Sequence, residues 1–363
     1  MYWFFFWINV FFILLTLLPA WRCEAWWVRG MDFPRLQLAI LLALLLAVQL
    51  LVLNLSLVKS WVLISVSATC LAYQLWWVVP YTRLFPVEVK AAKDRDPQRT
   101  IRVMTANVCT PNRHVEKLVQ LVRNNMPDVL VTLESDQWWQ DRLAVLEDDY
   151  PYSIKCPLDN LYGMHVYSKL KLSQSQVEYL VEPTIPSMHT LIELPSRHQI
   201  RVHFLHPAPP SPTENEESTE RDAELVMVAR SVAESDEPII VTGDLNDVAW
   251  SATTRLFRKL SGLLDPRVGR GMFNTFHAGY WPMRWPLDHL FHSEHFTLLG
   301  MRRLPAFGSD HFAILTELCY EPEREVEQEG LNATPADQQW AEDKMQSQNV
   351  TEAQVPEPRS NGQ

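Results

Sequence analysis

Three long apolar runs open the chain, at residues 2–18, 36–58 and 61–79. Each approaches the ~20 residues that a helix needs to cross a hydrocarbon layer. Trp21, Trp26, Trp27, Trp61, Trp76, Trp77 and Tyr81 lie near their ends, where an interfacial aromatic belt would place them. The pattern predicts three transmembrane helices within a membrane region of residues 1–85. A cleaved signal peptide is the competing reading of the first run. Against it, no basic residue precedes the run and no small-residue cleavage site follows. Lys59 and Ser60 are almost all that separates the second and third runs, as in a tight helical hairpin.

From residue 101 the period changes. "IRVMTANV" has the alternation and β-branched content of a strand, whereas "HVEKLVQLVRNNM" sets Val115, Leu118, Val119 and Val122 on one helical stripe. "DVLVTLE" follows as a nearly all-apolar strand. A helix is expected near 138–146 and strands near 162–167, 177–181, 189–193 and 199–205. After a Pro-rich loop at 207–219 come a helix over 220–233, the strand "PIIV", and a helix "ATTRLFRKLSG" capped by Ser251. "LDHLF" and "FAILTEL" start the last two strands. Many of these strands stand too close together for parallel crossovers. An α/β domain over 101–320 is therefore expected, with two mixed sheets face to face and helices outside, a four-layered sandwich. Residues 86–100, "PVEVKAAKDRDPQRT", read as a polar linker from the membrane.

Charge changes this picture in two places. Of the net −11, residues 1–85 carry +3, the tail from Glu321 carries −7, and residues 86–320 between them carry −7. A protein that grips nucleic acid through its phosphates usually has a basic face, so nucleic acid is not the favoured partner. The acidic, apolar-poor tail, 321–363, reads as solvated disorder. Arg22, Arg29, Arg35, Arg83, Lys90, Lys93, Arg95 and Arg99 fall on one side of three crossings, and only Lys59 on the other. The positive-inside rule then gives a multi-pass protein of the inner cell membrane with a cytoplasmic domain, a periplasmic one being the alternative. Five scattered cysteines without a CxxC pair suggest neither a disulfide framework nor a cysteine zinc site.

The candidate chemistry sits at strand ends. Four apolar strands stop at Asn107, Glu134, His206 and Asp244, while Asp288, Asp310 and His311 lead into strands. In a mixed sheet, the end of one strand and the start of an antiparallel neighbour share an edge, so these residues can face a single cleft. Asp244 and Asn246 of "GDLND" would form one corner of it. Singly, each of these residues could serve a turn, a cap or a packed core; jointly they point to a site. His289, His292 and His295 recur every third residue, which a helix could use for zinc. Their apolar neighbours point to a strand, on which that spacing alternates faces. Asp247 and Asp265 read as structural, and Arg255 and Arg284 as surface charge. GxSxG, P-loop and dinucleotide glycine patterns are absent.

"TANVCTPN", "LVTLE", "LHPAPP", "GDLND", "PLDHLF" and "GSDHFAIL" occur in that order over about 100–320. Together they resemble the endonuclease/exonuclease/phosphatase superfamily of DNase I-like fold, and most its membrane-anchored bacterial members. The resemblance implies that Glu134 is the main carboxylate ligand of Mg²⁺ (or Mn²⁺), with Asn107 beside it and Asp310 contacting metal or fixing its loop. It implies that Asp244 orients and deprotonates water and that Asn246 bonds the phosphate or the nucleophile. His311, paired with Asp288, would stabilise or protonate phosphoryl oxygens, and His206 would bind phosphate or assist the leaving group. Thr-Leu precedes Glu134 where Leu-Gln is usual, and His165 occupies a place often small and apolar, so the metal surroundings and the width of the cleft are expected to differ. The implied protein is a membrane-anchored, Mg²⁺-dependent phosphoesterase acting on a phosphodiester or phosphomonoester, with a lipid head group preferred as substrate. A nuclease of the same fold and a non-catalytic membrane scaffold are the alternatives.

Overall fold

A computed structural model describes residues 1–233 and 235–359. The apolar N-terminal runs form α1 (Tyr2–Leu17), the short α2 (Trp26–Arg29), α3 (Arg35–Val52) and α4 (Val58–Val78). Three stretches, Tyr2–Ala20, Arg35–Val52 and Val58–Tyr81, are long and apolar enough to cross a membrane. Polar side chains turn inward between them. Asn9 donates to the Leu63 carbonyl at 3.1 Å and accepts from Ser67 at 2.6 Å, and Gln74 donates to Thr16 at 3.1 Å. Such pairing satisfies polar groups that lipid could not.

The domain then runs β1 (Thr100–Asn107), α5 (Val115–Asn125), β2 (Val129–Leu133), α6 (Gln137–Leu143), β3 (Tyr152–Cys156), β4 (Met164–Ser168), β5 (Lys171–Glu178), β6 (Ser187–Glu193) and β7 (Gln199–Leu205). It continues with α7 (Thr219–Ala233), β8 (Ile239–Asp244), α8 (Ala252–Ser261), β9 (Asp288–His292), β10 (Phe296–Arg303), β11 (Ile314–Tyr320) and α9 (Pro335–Gln348). One sheet has the order β10-β11-β1-β2-β4-β3 and the other β5-β6-β7-β8-β9. Val103, Val131 and Val166 of the first sheet meet Val202, Ile240 and Leu290 of the second in one buried core. Helices α5 and α6 cover the outer face of the first sheet, and α7, α8 and α9 that of the second. The expected four layers are present.

The strands missed by pattern are edge strands. β3 and β10 each border the first sheet, and β5, which starts earlier than expected, borders the second. Their solvent side lacks the burial that imposes hydrophobic alternation; β5 reads "KLSQSQVE". The central β1, β2 and β8, and the edge strand β9, are buried almost throughout and were legible.

Topology aligns the functional ends. β1 runs parallel to β2, and β7 parallel to β8, while β9 is antiparallel to β8 with Asp244 opposite Asp288. β11 is antiparallel to β1. The polar starts and ends therefore lie along one rim. Beneath it, the Thr105 and Thr242 hydroxyls bond at 2.9 Å and join the two sheets.

Two expectations about the flanks are corrected. Residues 86–100 are no free linker: Val89 is buried between the sheets, and the Glu88 carboxylate accepts from Arg258 and from the Asp265 amide. The tail is not solvated disorder over residues 321–359, whereas 360–363 lie outside the described residues. Thr334 and Asp337 form a capping box at the start of α9. Ala341 and Met345, four apart and hence on one helical face, bury against the α7–α8 layer. Two of the tail's acids pair with bases of the helix layer, Arg230–Glu342 and Lys259–Asp337 at 2.8 Å each. Buried Lys344 reaches both Asp222 and Glu24 at 2.7 Å. Composition records the acids but not this pairing.

The N-terminal helical region, residues 1–85, is docked on the domain through the residues just after "GDLND". Tyr81 donates to the Ala249 carbonyl and Trp250 to that of Asp32. Val248, Ala249 and Trp250 share a buried cluster with Val78, Tyr81 and Leu287.

Candidate active site

The rim gathers the residues that the sequence singled out. Asn107 closes β1 and donates through Nδ2 to Glu134 Oε1 at 2.8 Å and to Asp244 Oδ2 at 3.1 Å. Its own Oδ1 takes the Cys109 amide at 3.0 Å, which fixes which way the side chain faces. Glu134 follows β2 with φ +57°, Cys109 has φ +57° and Asn246 φ +50°. Three non-glycine residues in the left-handed region at one rim hold strain of the kind that accumulates at functional sites. Gly243, one residue before Asp244, is required by packing, because a Cβ there would collide with the Leu205 carbonyl.

On the other side, His311 Nδ1 lies 2.8 Å from Asp288 Oδ2, and its Nε2 3.5 Å from Asp244 Oδ2. Thr275 accepts the Leu287 and Asp288 amides and steadies the start of β9. Burial disfavours a charged imidazole at His311, yet the Asp288 and Asp244 carboxylates push its pKa up to about 10. Both carboxylates thus favour its protonated form. Burial likewise opposes ionisation of Asp244, and the His311 charge overcomes this to hold the carboxyl below its usual range. Asn246 donates its amide to Asp244 Oδ1 at 3.0 Å and its side chain to the Pro207 carbonyl at 3.0 Å. His206 is buried, which lowers its pKa to about 4, and its Nδ1 has no partner. Its ring lies against Tyr162, with centroids 5.2 Å apart.

Whether a divalent cation suits the site can be judged from its charge. Burial pushes the Glu134 pKa up to about 7, and the neighbouring Asp310 and Asp244 carboxylates add to this. Asp288 Oδ1 is buried without a partner. Four carboxylates, those of Glu134, Asp244, Asp288 and Asp310, thus face one imidazolium. Asp244, Asp288 and His311 bring ligand-type atoms within 4.8 Å of one another. In that trio, however, the imidazole already carries a proton shared with Asp288. The carboxylate oxygens of Glu134 and Asp310 suit a hard cation better, whereas Asn107, expected beside the metal, turns its Nδ2 to Glu134 and orients that carboxylate. The residues fit such an ion.

Other expectations resolve differently. His165 does not line the cleft. It faces the helix layer from β4, bonded to Thr132 at 3.5 Å, and burial lowers its pKa to about 4. His289 pairs with Arg267 and the Asp247 carbonyl, and His292 with the Ser293 carbonyl, so the histidines diverge as a strand requires. Asp265 is a buried partner of Arg267 at 2.8 Å. Arg284 folds back onto the His277 and Ala278 carbonyls, and Arg255 lies over Trp77. Pattern reading missed Tyr162, Thr275 and Phe276, whose ring lies 4.9 Å from that of His311. The aromatic run "FNTFHAGYWPMRW" immediately before "PLDHLF" was the available signal.

The cleft, about 510 Å³, is lined by Glu134, Asn246, Asp310 and His311, and also by Trp26, Phe33 and Pro34 of the N-terminal helical region. Two face-packed mixed sheets with a carboxylate–imidazole rim are the architecture of a phosphoester hydrolase of DNase I-like fold. A family model described as "Endonuclease/Exonuclease/phosphatase family" matches residues 104–311, more than half of the chain. The chain belongs to that family, whose members hydrolyse phosphoester bonds. No curated protein matches with significance. Among solved structures, TDP2 from D. rerio, humanized by 14 mutations, is 17% identical, with a TM-score of 0.52 over 61% of this chain and 99% of its own. D. rerio TDP2 with a single-strand DNA product is also 17% identical, with a TM-score of 0.51 over 60% and 98%. The human Nocturnin catalytic domain with a bound sulfate anion is 16% identical, with a TM-score of 0.50 over 62% and 96%. At these identities the likeness concerns the fold.

Proposed function

We propose that this chain is a membrane-anchored phosphoesterase that uses Mg²⁺, or Mn²⁺, to hydrolyse a phosphodiester or phosphomonoester by in-line attack of water. The observation that carries this reading is the chain Asp288–His311–Asp244, spaced 2.8 and 3.5 Å, facing Asn107 and Glu134 across the rim. Glu134 and Asp310 would hold Mg²⁺, with Asn107 orienting Glu134, and the ion would supply positive charge to a phosphoryl oxygen. The other roles belong to the chain. Asp244, kept anionic, accepts a hydrogen bond from the attacking water and takes its proton. Asn246 positions that carboxylate through its amide. His311 donates from Nε2 to the phosphoryl oxygen as its charge grows, and Asp288 keeps the ring oriented and charged. His206, neutral, offers a free nitrogen to the phosphate or the leaving group.

The favoured substrate is carried by the membrane, as a lipid head group is, because residues 86–320 bear −7 and the apolar helices tie the domain to a bilayer. The count of basic residues favours the inner membrane and a cytoplasmic domain. A nuclease is the rival reading, since a TDP2 of this fold carries a single-strand DNA product. Hydrolysis of bis(p-nitrophenyl) phosphate and p-nitrophenyl phosphate by the full chain, with Mg²⁺, Mn²⁺ or EDTA, tests the proposal. Turnover that EDTA abolishes is expected. A folded wild-type chain inert in every arm would leave the non-catalytic scaffold as the answer.

A further inference from the structure

The cleft has a second wall that the catalytic residues do not explain. Trp26, Phe33 and Pro34 form it from the membrane side, and Met283, Trp285 and Leu287 from the domain side. Residues 26–34 connect two candidate spans, and Pro34 immediately precedes the first residue of the second, Arg35. Phe33 and Trp285 meet edge to face, with centroids 5.5 Å apart. The wall is thus built jointly by the membrane region and by the loop before β9.

That loop also reports the level of the bilayer. Its tip exposes Tyr280 (63%), Trp281 (76%) and Met283 (55%). The Pro282 carbonyl accepts from Gln37 Nε2 at 2.8 Å, and Gln37 is the third residue of α3. The tip therefore lies beside the first turn of an apolar helix. Exposed Trp21, Trp26 and Trp27 stand on the segment that leads to the same helix end. Trp and Tyr favour the headgroup level. No Lys or Arg lines the cleft among the described residues, which suits a polyanionic strand poorly.

Resting on the phosphoesterase reading above, we infer that the cleft opens into the bilayer surface and that the substrate is a lipid phosphoester still seated in the leaflet. Its phosphate reaches His311 and Asp244. The first carbons of its hydrocarbon chain lie along Trp26, Phe33, Met283 and Trp285. Each methylene drawn from hydrocarbon into water costs about fourfold in equilibrium. A wall continuous with the membrane avoids most of that cost, because the head group has only to slide sideways. The membrane helices then do more than anchor: they contribute residues to the substrate site.

The test uses the full chain in lipid nanodiscs. It compares long-chain and short-chain members of one phosphatidyl diester series, soluble bis(p-nitrophenyl) phosphate and a single-stranded DNA oligomer, each with Mg²⁺ or EDTA. The wild type should prefer the long-chain ester. The long-to-short ratio of kcat/KM should fall about tenfold in Met283→Ser, the loss of roughly two methylenes of contact. It should also fall in Tyr280→Ser combined with Trp281→Ser, whose exposed positions spare the fold. A ratio near one in the wild type, with EDTA-sensitive turnover of both lipids and of the soluble ester, would overturn the inference and leave the phosphoesterase reading standing. Faster cleavage of DNA than of lipid would overturn it as well. Absence of metal-dependent turnover of any ester would remove the underlying reading, and the inference with it.

Discussion

His311 donates through Nδ1 to Asp288 at 2.8 Å, and the two residues come from opposite sheets, just before β11 and at the start of β9. The His311–Asp288 pair therefore exists only where the sandwich closes. Asp288→Asn keeps the shape but removes the charge that favours the protonated ring. A fall in kcat on bis(p-nitrophenyl) phosphate of about 10²–10⁴-fold is expected, with circular dichroism unchanged. A loss below tenfold would show that Asp288 merely packs.

Glu134 borders the cleft, and desolvation together with the nearby Asp310 and Asp244 carboxylates pushes its pKa up to about 7, so a cation there would be favourable. Glu134→Gln should raise the Mg²⁺ concentration for half-maximal rate by more than about tenfold. In the wild type, Mg²⁺ should raise the melting temperature, and the variant should lose that increment. A melting shift equal in both proteins would move the metal to the Asp244–Asp288–His311 trio.

Lys344 is buried between Asp222 and Glu24, and together with Arg221 it holds the Asp222 carboxyl far below its usual range despite burial. Removing one partner of a buried pair typically costs about 3–5 kcal/mol. Lys344→Met should lower the melting temperature of the detergent-solubilised chain and make α9 a target for limited proteolysis. Unaltered protease resistance would count against the tail as a structural element.

Glu224 on α7 is buried, with Oε1 unpartnered, and burial together with Glu182 pushes its pKa up to about 8. A raised carboxyl pKa means that the folded state holds a proton which the unfolded chain has released above its ordinary value near 4.5. Stability therefore falls as pH rises from about 4.5 to about 8, by an amount on the order of a few kcal/mol. Glu224→Gln should flatten that slope in thermal unfolding at stepped pH. A wild-type slope retained in the variant would assign it to another group.

Much of the site was legible because its residues interrupt apolar strands. Asn107, Glu134 and Asp244 each break a run whose burial admits few polar side chains, and strand direction predicts a shared rim. Phe276 and Tyr162 were illegible for the opposite reason. An aromatic residue in a loop reads the same whether it packs on a catalytic ring or on nothing. The helix over 335–348 was hidden because its stability comes from cross-chain pairing at Lys344 and from two apolar residues, Ala341 and Met345, below the threshold of a periodic stripe. Likewise nothing in "WWVRGMDFP" states that it will border a cleft formed some hundred residues and more downstream.

The contact between Glu24 and Lys344 spans 320 positions. During synthesis the hydrophobic helices emerge first, and the sandwich follows as a unit. The contacts of Tyr81 with Ala249 and of Trp250 with Asp32 need nothing beyond residue 250. Lys344 adds its tie to Glu24 last, a late clasp on a seam that earlier residues can already close.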